Sequence, residues 1–159
     1  MKLVLLALLT VTAGPLARAQ EPHVAATAPQ DRPTLWRDTT AVARWERAIA
    51  PYVAQARASY PAARARYEAG LPPQESFFVT TRLHDADHRI EQVFIAVDSI
   101  RGSQIYGRIW SEISVVRGYR LRDPYQLPES EVMDWLITKP DGSEEGNFVG
   151  KFMDQQQGH

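Results

Sequence analysis

The chain has 159 residues, 44% of them hydrophobic and 23% charged, with a formal net charge of −1. That length fits one domain with a real core, and the near-neutral balance argues against a nucleic-acid partner. No cysteine occurs, which excludes a disulfide framework, a lipid-modified cysteine, a thiolate nucleophile and cysteine-ligated zinc.

The opening MKLVLLALLTVTAGPLARAQ sets Lys2 before an apolar run from Leu3 to Leu9, then Gly14-Pro15 and Ala17-Arg18-Ala19. A charged start, a short apolar stretch and an A-x-A end predict a secretory signal peptide over 1–19, cut after Ala19. The apolar run is shorter than the ~20 residues of a membrane span. The expected product is therefore periplasmic or secreted, with no membrane span after cleavage. The leader takes Lys2 and Arg18 and no acid with it, which moves the formal charge from −1 to −3. Residues 20–38, rich in Pro, Ala and polar side chains without periodicity, predict a flexible linker.

Helical signals follow. Asp38, Thr39 or Thr40 can cap AVARWERAIA, where Val42, Trp45 and Ile49 recur at helical spacing. Pro51 is expected to kink that helix or open another, and Ser59 to cap a short one over AARARYEAG that stops at Gly70. Six Arg lie in residues 37–68, at 37, 44, 47, 57, 64 and 66, while eight acids lie in 123–154. This predicts a basic helix face beside an acidic rim, or else a dipolar surface that steers a charged partner.

From Ser76 the period becomes two. Phe77, Val79 and Leu83 alternate with Phe78, Thr80 and Arg82, and two similar runs are centred on Ile95 and Gly107. Short polar segments at 84–89 and 98–103 make an antiparallel meander the simplest reading. YRLRDPYQLP predicts an irregular strand with Pro124 and Pro128 at edge positions, VMDWLITK a strand, PDGSEEGN a turn, and FVGKFM a last short strand. The expected fold is α+β: N-terminal helices packed on a curled antiparallel sheet of about five or six strands. One domain spans 39–154, and 155–159 is expected as a disordered tail.

Several of these segments together carry a family resemblance. AQARASYP, FFVTTRL, EQVFIAV, LPESEVMDWLI and EGNFVGKF occur in an order and spacing similar to the YegJ-like bacterial family, domain-of-unknown-function family 2314. The resemblance runs from about Ile49 to Asp154. It implies a small α+β domain with Asp134, Trp135, Gly146 and Asn147 as hallmark positions, and no known activity. This chain departs from the family's pattern at Arg122-Asp123, where a Gly-Asp pair is usual, and at Phe94, where Trp is common.

Three sets of residues could carry chemistry. RLHDADHRI holds His84, Asp85, Asp87 and His88. Histidines four apart converge on a helix but not reliably in a turn, so His84 and His88 are weak metal candidates and the stretch reads as a hairpin connection. His88 falls where a residue tolerant of positive φ is wanted. Asp134, a carboxylate among apolar neighbours, is expected to accept hydrogen bonds that fix a turn; with His84 it is also the candidate for acid–base work. Arg82, Tyr106, Arg108 and Trp110 share the sheet face opposite the core, with Thr80, His84, Gln92 and Phe94, and suit a glycan, an acidic peptide or another protein. The alternative for that face is burial inside a closed barrel.

GNFVGK lacks the length and the hydroxyl residue of a phosphate loop, and no G-x-S-x-G or HExxH occurs. The expected function is a non-enzymatic binding or interaction module of the cell envelope, without a cofactor, whose partner is a protein or an envelope glycan. The alternative is an envelope hydrolase using His84, Asp87, His88 or Asp134, with or without a metal.

Overall fold

The computed structural model describes residues 21–25 and 39–157. The expected signal peptide, most of the expected linker and residues 158–159 lie outside them. Helix α1 (Thr39–Ala69) leads into β1 (Ser76–His84), β2 (Ile90–Arg101), β3 (Gln104–Ile109), β4 (Pro124–Pro128), β5 (Asp134–Thr138), β6 (Glu144–Gly146) and α2 (Phe148–Gln157). The six strands form one antiparallel sheet in the order β4-β3-β2-β1-β5-β6. The two outer strands, β4 and β6, do not pair with each other, so the sheet is open and the barrel alternative does not apply. This is the expected α+β class. Pro124 and Pro128 bound β4, an outermost strand, where a missing N–H costs the ladder little.

Two expectations are corrected. The helical region is a single 31-residue helix with Pro51 and Pro61 inside it, and Ser59 does not cap a new one. The Ser59 hydroxyl instead donates back to the carbonyls of Gln55 and Ala56. An interior proline costs a helix about 3 kcal/mol. Tertiary packing outweighs that here, because Ile49, Ala56, Tyr60 and Ala63 form a buried stripe that spans both prolines. Gly70, at φ +95°, stops the helix as expected.

The second correction is at the C-terminus, where FVGKFM is helical and the last strand is Glu144–Gly146. Phe148, Val149, Phe152 and Met153 fall on one helical face, and Val149, Phe152 and Met153 pack with Ile49, Met133 and Tyr52. The helix runs to Gln157 and so takes in residues 155–157 of the expected tail.

The main core lies between α1 and one sheet face. Ala56, Tyr60 and Ala63 cover Phe77, Val79, Leu83, Val93, Ile95, Ile105 and Ile109, the set that the period-two reading assigns to the core together with Val97, which is half-buried at its margin. Residues 21–25, expected as linker, are tied to the sheet. The His23 N–H donates to Ser76 Oγ at 2.8 Å, Thr138 Oγ1 donates to the His23 carbonyl at 2.9 Å, and Glu21 pairs with Arg108 at 3.0 Å.

The basic and acidic stretches meet at two arginines. Arg64 pairs with Glu129, and Arg66 and Lys139 both pair with Glu145, whose carboxyl they hold down at about 2.

Candidate functional site

The HDADH stretch is the β1–β2 connection. His88 N–H donates to the Asp85 carbonyl at 3.0 Å, and His88 has φ +60°, the left-handed conformation expected for it. Asp85 organises the turn: its carboxylate accepts the N–H groups of Asp87, Arg89 and Arg117, and the Arg89 guanidinium at 2.8 Å. Burial opposes its charge, but these donors prevail and hold it at about 2. Asp87 is taken by Arg89 at 2.7 Å. His84 is exposed at the end of β1, and its carbonyl accepts the Tyr119 hydroxyl. No group of three or more potential metal-ligating side chains occurs among the described residues.

The face opposite the core has a buried apolar centre of Phe78, Ala96 and Leu136, with Phe94 and Trp110 packed against it. Its cations are engaged within the chain. Arg108 bonds Glu21 and Asp98, and Arg82 bonds Glu46 at 2.8 Å. Arg101 stacks over Tyr106 at 5.1 Å and Arg122 over Trp110 at 5.2 Å. Tyr106, Arg108 and Trp110 thus share a face as the alternation implies, whereas the Arg82 side chain turns to Glu46 on α1; both arginines are already paired with acids.

Asp134, Trp135, Gly146 and Asn147 meet at the start of α2. The Asp134 carboxylate accepts the N–H groups of Trp135 at 2.8 Å and Val149 at 2.6 Å. Burial pushes its pKa up to about 6, against the pull of the Val149, Trp135 and Phe148 N–H groups, and the nearby Glu144 charge adds to the rise. The Trp135 carbonyl accepts the Asn147 N–H, and its indole N–H reaches the Ala56 carbonyl and Ser59 Oγ on α1. Gly146 and Asn147 both take positive φ, +75° and +55°, to turn β6 into the helix. At 1% exposure, Asp134 is sealed from solvent and serves as the helix cap.

An open concave feature lies between α1 and the far end of β1. This groove of about 630 Å³ has an apolar wall of Ile49, Ala50, Val53, Ala54 and Met133, with Arg57, Arg82, His84, Glu46 and Glu131 around it. Its volume is in the range of small-ligand sites. Arg57 is fixed there, with Nε on the Val132 carbonyl at 2.9 Å and Nη2 near the Ser130 carbonyl at 3.4 Å. Among the described residues it has no acid partner. A guanidinium positioned by two carbonyls but not neutralised is a ready receptor for an anion.

The groove also exposes a sheet edge. β5 pairs β1 only from Ser76 to Thr80, where the Thr80 carbonyl accepts the Met133 N–H. Backbone groups in an antiparallel strand alternate sides. Asp85 bonds across to Arg89, so the odd-numbered residues of β1 face β2. The N–H and C=O of Arg82 therefore turn outward, past the end of β5.

Neither this groove nor the position of Arg57 is visible in the chain order, because both depend on where β5 ends relative to β1. Arg57 looks like any other member of a basic helix. No protein-family model, no curated protein and no solved structure matches the chain.

Proposed function

We propose that this chain is an exported binding module of the bacterial cell envelope, without catalytic activity, and that the groove between α1 and β1 is its site. Export rests on the signal-peptide pattern of residues 1–19, and kinship with the YegJ-like family rests on the quoted segments alone. The observation that carries the binding reading is Arg57, held by two carbonyls in a concave, largely apolar groove without an acid of its own. Tyr106, Arg108 and Trp110 supply a second, flatter contact surface whose charges are already spent within the chain. Asp134, the strongest acid–base candidate, is closed off beneath α2, which weighs against the hydrolase alternative. The partner class is a protein or a glycan of the envelope.

The test is site-specific photo-crosslinking in cells that produce the full chain. A crosslinker at Ala54, in the groove, should give discrete adducts in the envelope or periplasmic fraction. One at Gln55, turned about 100° from Ala54 around α1 and outside the groove lining, should not. Retention of the chain in the cytoplasm, or equal labelling from both sites, overturns the reading.

A further inference from the structure

We infer that the groove takes an extended peptide bearing a carboxylate, which adds as a short strand to the free end of β1 and places its acid on Arg57. This deepens the binding-module reading and rests on it.

Two independent features specify this occupant. The first is the backbone edge. Arg82 N–H and C=O, and His84 N–H, point past the end of β5, and no described residue bonds them. The His84 carbonyl is taken by the Tyr119 hydroxyl, so the free edge is short and ends there. An unpaired edge at the floor of a groove recognises another extended backbone, through alternating N–H and C=O groups. A rigid sugar or a fatty chain does not present that alternation.

The second feature is charge. Arg57 stands across the groove from this edge with donors to spare, and Arg47 lies on the same side of α1, three residues before Ala50. Neither has an acid partner among the described residues. Arg82 and Glu46 cancel one another, which leaves Glu131 as the uncompensated acid of the groove. The balance favours a carboxylate over an amine. Side chains of an added strand would alternate between solvent and the wall formed by Ile49, Val53 and Met133.

The orientation of Arg82 gives a sharp test. Its N–H is outside the β1–β2 ladder, so Arg82→Pro removes the edge donor and leaves the ladder intact, whereas Arg82→Ala keeps the donor and removes only the side chain. Random octapeptides displayed on phage are selected against the full chain, and the recovered sequences are synthesised. The expected result is peptides with Asp or Glu at one fixed position. They should bind Arg82→Ala nearly as well as the parent, lose binding to Arg82→Pro, and bind Arg57→Gln about tenfold more weakly, the loss of one charge-assisted contact. Bound peptide should also slow amide exchange at Arg82 and His84 in the parent chain, which decides the matter if Arg82→Pro fails to fold.

Peptides that need no acid, or that bind Arg82→Pro as tightly as Arg82→Ala, overturn the inference. So does self-association of the chain that Arg82→Pro abolishes, which would give the edge to a second copy. If Ala54 crosslinks to a glycan and no peptide is selected, strand addition fails while the binding module stands. If neither adduct nor peptide appears, both fail.

Discussion

The carboxylate of Asp134 on β5 and the N–H of Val149 on α2 meet at 2.6 Å, across 15 residues of sequence. A helix N-terminus leaves several N–H groups without partners; here the cap comes from a neighbouring strand rather than from the residue preceding the helix. That contact caps the C-terminal helix and accounts for a carboxylate in an otherwise apolar run. It also sets a pH dependence.

Burial raises Asp134 to about 6, from about 3.9 in an unfolded chain. A carboxyl whose pKa rises on folding binds its proton more tightly in the native state. Its stabilising contribution is therefore fully present below about 3.9 and is lost as the pH climbs through about 6. The size is on the order of 2–3 kcal/mol. Asp134→Asn should flatten the fall in urea midpoint between pH 4 and 7, and Asp134→Ala should cost roughly 2–4 kcal/mol near pH 4 by orphaning the α2 N–H groups, and less at pH 7, where the parent has lost the contribution of the protonated carboxyl. An unchanged pH slope in Asp134→Asn would show that another group titrates there.

Asp85 works in the opposite sense. Held at about 2, it supports the fold above the ordinary carboxylate range, and that support disappears as the pH falls through about 2. Asp85→Asn should weaken exchange protection at the amides of Asp87, Arg89 and Arg117, and reduce the loss of stability between pH 4 and 2. In the same turn, His88→Gly should stabilise by up to about 1 kcal/mol, since His88 sits at φ +60°. His88→Val should destabilise by about 1–2 kcal/mol. If His88→Gly is strongly destabilising instead, the histidine side chain has a role beyond the turn.

The meander was legible because its signals are local. Period-two alternation picked out β1 to β3, and the aspartates of HDADH marked a turn through their own side chains. The C-terminal helix was not legible, because its cap is Asp134, remote in the chain, and its entry depends on two residues at positive φ. The uninterrupted α1 was hidden for a related reason: proline is a local veto, while the stripe from Ile49 to Ala63 that overrides it acts through tertiary burial. For the site, residue type misled. Arg108 and Arg82 stand on strands beside aromatics, yet both are neutralised by acids, whereas Arg57 in a plain basic helix is left available.

Gly146 tests the joint from its other side. A Cβ there would collide with the Trp135 carbonyl and press on its indole, and the backbone is at φ +75°. Gly146→Ala should therefore destabilise by more than about 2 kcal/mol, from steric conflict and backbone strain together. The change should appear first as altered tryptophan fluorescence, since the Trp135 indole bonds α1. A neutral Gly146→Ala would mean that β6 can shift away from β5 without cost.

Glu91 is the clearest case of a charge placed where the alternation predicts an apolar residue. It lies on the core side of β2, opposite Leu83, and is 1% exposed. Its two oxygens accept three consecutive N–H groups, from Ser114 at 2.8 Å, Val115 at 2.8 Å and Val116 at 3.0 Å. The carboxylate thus replaces regular structure as the organiser of the 111–118 loop, which has no ladder to satisfy its donors. Glu91→Gln keeps one acceptor oxygen and turns an amide NH₂ toward donors, so about 2–4 kcal/mol should be lost. Exchange at residues 114–116 should quicken before the rest of the sheet opens, because only those amides lose their partner. Glu91→Leu matches the surrounding apolar core but leaves all three N–H groups bare, and it should be worse than Glu91→Gln. If Glu91→Leu proves the milder of the two, water reaches the loop amides and the carboxylate is not what holds them.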